Sequence, residues 1–552
     1  MGRPALNLLV FRGDRRCVSG AELQSALLRR LRAPAAAASQ EDILRSLLLA
    51  GELECGLADS PGASAVPIEA LTDRVSEALV NCDAGCDFGF SLNPDFLQST
   101  IESAPLPEEM SISAPEGFAY YAMHPLSYAD VVRKVPDLAE RVAVIGIRSI
   151  GTTLSAVTAA AIRKQGKSAA RITVRPEGHP YNREMRFSDE QSAFVAKSLA
   201  VNADFLIVDE GPGLSGSSFL SVAEALVAAG VPREKVTLIC GHAPDFGSLR
   251  SDDGPQRATR FRWLPVESNP RPPEAAAVFI GGGEWRRTAI PDESCWPACW
   301  TSFERLKYLS AAGAARPQLF KFLGLGHYGD AVFEREQRAA DAGFGIAPRQ
   351  EINGFVSYPR LDARPMRAGD LSDRVLARLA SYCAFRAQAF PFDLRSLGAL
   401  QQMAEHNRQE LKLDFPVQLR LERPVISDGR MQPHEWLLAR DGQILKTDSG
   451  SHGDDHFFPG PTDIAWDLSG AIVEWGMNAA QAEAFLETYR HACGDDARLR
   501  IRDFIAAYAV FRSAWCLMAA NALHGSPEQL RLEEMANRYR VQIVRHCAAA
   551  AV

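Results

Sequence analysis

The sequence has no long apolar run. In its 552 residues no hydrophobic stretch approaches the ~18 residues of a membrane-spanning helix, so no membrane association is expected. The opening MGRPALNLLVFRGD carries an apolar run too short and too soon broken for a signal peptide. Leu6 also stands where a myristoylation signal needs Ser or Thr. An excess of positive charge is missing as well. With a net charge of −8 and a pI near 5.9, bulk attraction to nucleic acid or to an anionic membrane is excluded, and only a local basic pocket remains open. Closely clustered cysteines are scarce. The eleven are scattered, and the close pairs are Cys82/Cys86 and Cys295/Cys299. Their spacing is looser than the usual CxxC; they read either as a four-thiolate zinc site or, more blandly, as reduced thiols of a cytoplasmic protein.

What is present is the composition of a globular protein, 47% hydrophobic and 23% charged. At about 100–200 residues per domain the length implies two to four domains. Residues 1–105 read as a mostly helical accessory domain. Residues 6–11 form a short expected strand, and 21–31, 43–54 and 67–80 expected helices. Ser39 with Asp42 caps the second helix and Pro67 opens the third. The region shows no site chemistry; its expected role is to pack on the next domain or to mediate assembly, a homo-oligomer included. Residues 106–117, within a stretch rich in Pro, Ser and Glu, read as a linker.

Residues 118–290 alternate apolar strand runs with amphipathic helices. Strands are expected at 142–147, 171–174, 205–208 and 236–240, with helices at 152–164, 189–200 and 219–229. That grammar implies α/β architecture with a doubly wound parallel sheet, whose ligands sit beyond the carboxyl ends of the strands. Three polar segments fall there. Arg148 and Ser149 lead into a helix whose exposed N–H groups suit an anion. The loop 175–188 (RPEGHPYNREMRFS) carries Arg175, Arg183 and Arg186 and reads as a cover over a charged ligand. In FLIVDEGPGLSGSSF (205–219), Asp209 and Glu210 suit a diol or Mg²⁺, and Ser215, Gly216, Ser217 and Ser218 suit a phosphate.

These residues resemble type I phosphoribosyltransferases. The resemblance covers roughly residues 118–290. It implies that Asp209 and Glu210 grip the ribose hydroxyls of phosphoribosyl pyrophosphate and that Ser215–Ser218 bind the 5′-phosphate. It further implies that Gly146–Gly151 (GIRSIG) is the pyrophosphate loop and 175–188 the catalytic loop, with Arg175 and Arg183. GPG at 211–213 makes the phosphate loop about one residue longer than the family pattern, and Ser replaces its Thr. The acceptor is not legible, although Tyr120, Tyr121 and Trp285 are candidates for stacking on a base.

Residues 300–548 follow a different grammar. A strand at 319–323 carries Lys321, a helix at 331–342 carries Glu334 and Glu336, a second strand spans 353–358, and long helices fill the remainder. This order resembles the aminoglycoside phosphotransferase and choline kinase branch of the kinase-like fold, an α+β two-lobed domain. The resemblance implies that Lys321 lies on ATP phosphates with Glu334, or Glu336, as its ion-pair partner. It makes Asp448 the metal-binding Asp and Asp467 a structural residue. GRMQPHEWLL (429–438) lies over the catalytic loop, but Arg430 occupies the catalytic Asp position and Glu435 the metal-binding Asn position. Arg cannot accept a substrate proton, whereas Glu can still bind Mg²⁺. Beside it, 448–456 (DSGSHGDDH) holds three aspartates and two histidines in nine residues, a set that suits a metal or a replacement base, with His434 as a further candidate. The expected function is a Mg²⁺-dependent phosphoribosyltransferase-type enzyme fused to a divergent ATP-binding, kinase-like domain. The alternative is a regulatory nucleotide binder. The expected ligands are a phosphorylated sugar or nucleotide, phosphoribosyl pyrophosphate and ATP.

Overall fold

Three helices follow the short strand Arg15–Ser19: α1 (Gly20–Leu31) and α2 (Gln40–Ala58), both with side-chain caps, and α3 (Val66–Asn81). The structure, a computed structural model, describes residues 6–13, 15–32, 39–82, 101–102, 105–135, 137–213, 215–266, 272–311, 313–314, 316–453 and 455–548. Ser39 and Asp42 form the expected capping box of α2, and Pro67 lies in the first turn of α3. Residues 6–11 form no strand; Phe11 makes a single bridge to Phe457. The segment expected as a linker contains the strand Glu109–Ser113, which pairs antiparallel with Arg15–Ser19.

The helices α1–α3 lie on one face of a five-stranded sheet. Its strands are ordered Ser168–Val174, Arg141–Ile147, Asp204–Val208, Val236–Cys240 and Arg262–Pro265, and all four pairings are parallel. In chain order this is 2-1-3-4-5. Side chains alternate between the two faces, as a period of two dictates. Val142, Val144, Leu206 and Val208 pack with α2, α3 and the helix Ile150–Lys164. Ala143, Ile145, Phe205 and Ile207 pack on the other face with Phe219, Val222 and Leu226 of the helix Ser217–Ala228. Helices therefore cover both faces. The first and third strands are neighbours, so their carboxyl-end loops leave side by side at the switch point.

The second unit begins with a five-stranded sheet ordered Val278–Phe279, Lys307–Leu309, Gln318–Phe322, Phe355–Pro359 and Arg349–Gln350, antiparallel throughout. Between its strands runs the helix His327–Asp341. A helical lobe follows, built from Asp373–Ala389, Gly398–Glu410, Ala465–Glu474, Ala479–Cys493, Ile501–Ala522 and Pro527–Ala548. Ile501–Ala522 corrects the expectation about apolar runs. It is 22 residues long, and an 18-residue window of it has a mean hydropathy of 1.2, long and apolar enough to cross a membrane, yet 83% of that window is buried inside the protein. Leu8–Phe11 reach this lobe from the start of the chain. Leu9 N–H donates to Asn407 Oδ1 at 2.7 Å, and Asn407 Nδ2 returns a bond to the Leu9 carbonyl at 2.7 Å.

One apolar cluster spans both units. It runs from Leu27 and Leu47 through Val144 and Leu206 to Phe320, Phe322 and Phe355 of the antiparallel sheet.

Candidate functional site

A cavity of about 310 Å³ lies between the antiparallel sheet and the helical lobe. The strand Gln318–Phe322 turns Lys321 inward, where it is 1% exposed. Its Nζ donates to Asp448 Oδ1 at 2.7 Å and to Ser451 Oγ at 3.0 Å, and lies 3.5 Å from Glu336 Oε1. Glu336, rather than Glu334, is the partner. Val332, Glu336 and Ala339 form the buried stripe of their helix, whereas Glu334 is exposed on another face. Tyr358 donates its hydroxyl to Glu336, whose pKa burial pushes above the ordinary value.

Lys307 was not legible as a site residue, since nothing in KYL distinguishes it from a surface lysine. Its Nζ lies 3.4 Å from Asp448 Oδ2 and 3.2 Å from Glu304 Oε1. Burial works against its charge, but Asp448 and Glu304 hold its pKa above the ordinary lysine value. Burial likewise opposes ionisation of Asp448; Lys307 and Lys321 overcome it and hold that carboxyl well below its usual range.

Glu435 ends the short turn Pro433–Glu435, ahead of the strand Trp436–Ala439 that the fully buried Trp436 anchors. One ligand atom each from Glu435, Asp448 and His452 lie within 4.8 Å of one another, and this is the one such group among the described residues. His452 Nε2 is buried without a hydrogen-bond partner, 3.9 Å from Asp448 Oδ2. His452 Nδ1 faces Asp455 Oδ2 at 3.5 Å. A carboxylate behind a histidine that faces two further carboxylates is a donor set that fits a divalent cation. His434 stays outside the group. It stacks on Trp285 at 6.0 Å, and burial lowers its pKa to about 4. The cysteines form no metal group among the described residues. Cys295 Sγ faces Asp292, and Cys86 lies outside those residues.

The turn at 428–430 is clamped from below. Asp467 accepts the N–H groups of Asp428 at 2.8 Å and Gly429 at 2.9 Å. The Asp428 carboxylate is fully enclosed. It accepts from the Tyr382 hydroxyl at 2.5 Å and lies 3.4 Å from Lys446 Nζ. Arg430, the next side chain that can reach the opening, lines the cavity. Tyr120, Tyr121 and Trp285, expected over the first unit's site, line this cavity instead.

At the switch point of the parallel sheet, Asp209 and Glu210 end the strand Asp204–Val208. Glu210 Oε2 accepts the Gly117 N–H at 2.8 Å, and Asp209 Oδ1 the Glu210 N–H at 2.8 Å. Burial raises Asp209 to about 8 and Glu210 to about 7. Arg148 and Arg175 meet on Asp59, the residue that ends α2. Arg148 Nε lies 2.9 Å from Asp59 Oδ1, and Arg175 Nε donates to the same oxygen at 3.2 Å. Arg175 Nη1 also donates to the Arg148 carbonyl at 2.8 Å. Asp59 thus gives the N-terminal helices a place at a site that their sequence did not announce. The peptide between Arg148 and Ser149 is cis, and Ser149 precedes the helix Ile150–Lys164.

The loop 175–188 forms a hairpin of Glu177–His179 and Asn182–Glu184 that folds onto the serine loop. Its Pro180 carbonyl accepts from Ser215 Oγ at 2.8 Å and Ser217 Oγ at 2.7 Å. Gly216, at φ 71°, turns the chain into the helix Ser217–Ala228, whose first turn has no side-chain cap. Ser217 is buried and Ser218 half-buried at that N-terminus. Arg183 donates to the Pro176 carbonyl at 3.2 Å. The segments 148–149, 175–183, 209–210 and 215–218 therefore stand near one another at the carboxyl ends of the strands.

No protein-family model matches the chain, and no curated protein does. Among solved structures it is similar to choline kinase LicA from Streptococcus pneumoniae, with 13% identity and a TM-score of 0.31 over 44% of this chain and 89% of that one. A choline/ethanolamine kinase family protein from Mesorhizobium loti has 17% identity and a TM-score of 0.31, over 44% and 88%. Macrolide 2′-phosphotransferase MphH from Brachybacterium faecium has 15% identity and a TM-score of 0.30, over 42% and 89%.

Proposed function

We propose that the chain is a two-site enzyme. The cleft of the second unit binds a nucleoside triphosphate with a divalent cation. The switch point of the first binds a phosphorylated pentose, with chemistry of the phosphoribosyltransferase type. The observation that carries the reading is Lys321. It is a buried ammonium placed between Glu336 of the helix and Asp448 of the cation group, the arrangement that phosphoryl-transfer clefts use to seat phosphates. Glu435, Asp448 and His452 would hold the cation, which supplies charge neutralisation at the phosphates. At the switch point, Asp209 and Glu210 suit sugar hydroxyls, and Ser215–Ser218 at a helix N-terminus suit a phosphate. Arg148 and Arg175 are held ready for a second anionic group.

Calorimetric titration separates the two sites. ATP with Mg²⁺ or Mn²⁺ should bind, and Lys321→Ala should weaken it about 10-fold or more. Phosphoribosyl pyrophosphate with Mg²⁺ should bind separately, and Asp209→Asn with Glu210→Gln should abolish that binding without touching ATP. Absence of binding at either site removes that half of the reading. Binding of ATP without transfer is a second reading, and the replacement of the catalytic-loop carboxylate by Arg430 favours it.

A further inference from the structure

A hydroxyl acceptor must lose a proton as it attacks phosphorus, so a cleft that phosphorylates alcohols needs a base beside the acceptor. Among the described residues, two carboxylates beside the turn and outside the cation group, Asp428 and Asp455, are committed elsewhere. Asp428 is 1% exposed and held by Tyr382, Lys446 and the turn's own backbone. Asp455 accepts the Phe457 N–H at 2.9 Å and faces His452. What the catalytic turn presents to the cavity is a guanidinium. Arg430 is half-buried and lines the opening; its charge reaches the Asp455 carboxylate, but no described carboxylate forms an ion pair with it. A second guanidinium, Arg512 of the helix Ile501–Ala522, lines the same cavity, held 3.7 Å from Glu474 Oε1 and 4.8 Å from the Trp515 ring. Guanidinium cannot act as a base, but its planar fork matches a carboxylate or phosphate. Such acceptors are already ionised near neutral pH, since carboxyls titrate near ~4 and phosphate monoesters near ~6.

We propose that the cleft transfers phosphoryl groups to an oxyanion, a carboxylate or phosphate held by Arg430, and not to an alcohol. This rests on the reading of the cleft as a nucleoside-triphosphate site. The acceptor oxygen attacks the γ-phosphorus and forms a new P–O bond. The bond from that phosphorus to the β–γ bridging oxygen breaks, and the nucleoside diphosphate leaves with the electron pair. No proton moves. The product is a mixed anhydride, an acyl phosphate from a carboxylate or a phosphoanhydride from a phosphate.

The full-length protein is incubated with γ-labelled ATP, Mg²⁺ or Mn²⁺, and a panel of small carboxylates, sugar phosphates and alcohols. Hydroxylamine trapping reports acyl phosphate, and ³¹P NMR reports phosphoanhydride, so the two acceptor sources separate. Label is expected on an oxyanion and absent from alcohols. Arg430→Gln should lower kcat/KM on the order of 10- to 100-fold, mostly through KM for the acceptor, with ATP affinity unchanged within about twofold; Arg430→Lys should recover part of the loss. The unchanged ATP affinity also shows that the variant is folded. Label in an alkali-stable ester of an alcohol overturns the proposal and points to His452 as base. ATP binding with no transfer to any oxyanion of the panel overturns it too, as does an Arg430→Gln variant of unaltered KM. Failure to bind ATP is a separate result, which sinks the nucleotide reading itself.

Discussion

Asp209 and Glu210 carry a cost of burial that pH reveals. Their ordinary values are 3.8 and 4.5; in the folded chain they rise to about 8 and about 7. Burial is the main cause for both, and for Asp209 the neighbouring Glu210 charge adds to it. Between those limits the folded chain holds protons that the unfolded chain has released. The ligand-free protein should therefore lose stability as pH rises from about 4 to about 8, and level off above. Asp209→Asn removes the aspartate's share. The variant should melt at higher temperature than the parent at pH 8, by the equivalent of about 1 kcal/mol because the pair is only half-buried, and the gap should close near pH 4. Scanning fluorimetry across that range is the check; a gap that stays constant with pH would show that the carboxyl is not buried as described. The residue scale is also where the sequence was most legible at this site. Asp209, Glu210, Arg148 and Ser215–Ser218 stand out because the small, polar loops that hold them break an apolar pattern. Asp59 and Lys307 did not stand out. Each acts through a partner far along the chain, and neither breaks its local pattern.

At the scale of elements, the docking of α1–α3 on the parallel sheet depends on a buried ion pair. Arg171, from the middle of the strand Ser168–Val174, puts Nη1 2.7 Å from Glu54 Oε1 and Nη2 2.9 Å from Glu54 Oε2, with Nε 2.5 Å from Asp73 Oδ1. The Arg171 and Glu54 side chains are 1% and 2% exposed. Bidentate geometry offsets desolvation here, but removing one partner strands the other charge in an apolar setting. Arg171→Ala should cost about 3–5 kcal/mol in urea unfolding, and Arg171→Met with Glu54→Leu should recover most of it. A loss below about 1 kcal/mol for the single variant would mean that the N-terminal helices are not docked through this pair. Helix positions were readable from caps and periodicity, and the structure places α1–α3 close to where those signals put them. Packing on the next domain was one of the two roles expected of residues 1–105; the contact that makes it was not readable, because the bond joining Glu54 to Arg171 spans 117 residues and no local pattern carries it. The choice of Glu336 over Glu334 was within reach, since Val332, Glu336 and Ala339 share one helical stripe.

Over the whole molecule, the stretch 116–121 joins the two sites. Gly117 N–H bonds Glu210 at the switch point; the Phe118 carbonyl accepts from Leu325 N–H at 2.9 Å at the end of the Lys321 strand; Tyr121 Oη lies 3.3 Å from His456 Nε2 in the cleft. The Phe118 ring is 1% exposed within the apolar cluster that contains both sheets. Two domains separated by a passive linker would unfold independently, each at its own temperature. A shared cluster predicts otherwise. Phe118→Ala opens a cavity worth about 3–5 kcal/mol between the sheets. Hydrogen exchange in the variant should then rise together in the strands Arg141–Ile147 and Gln318–Phe322, although no atom of the substitution lies on either strand. If exchange rises in only one of them, the cluster does not unite the two halves. If both rise, a cut between residues 290 and 300 would bare apolar surface on each fragment and yield neither half as a folded protein.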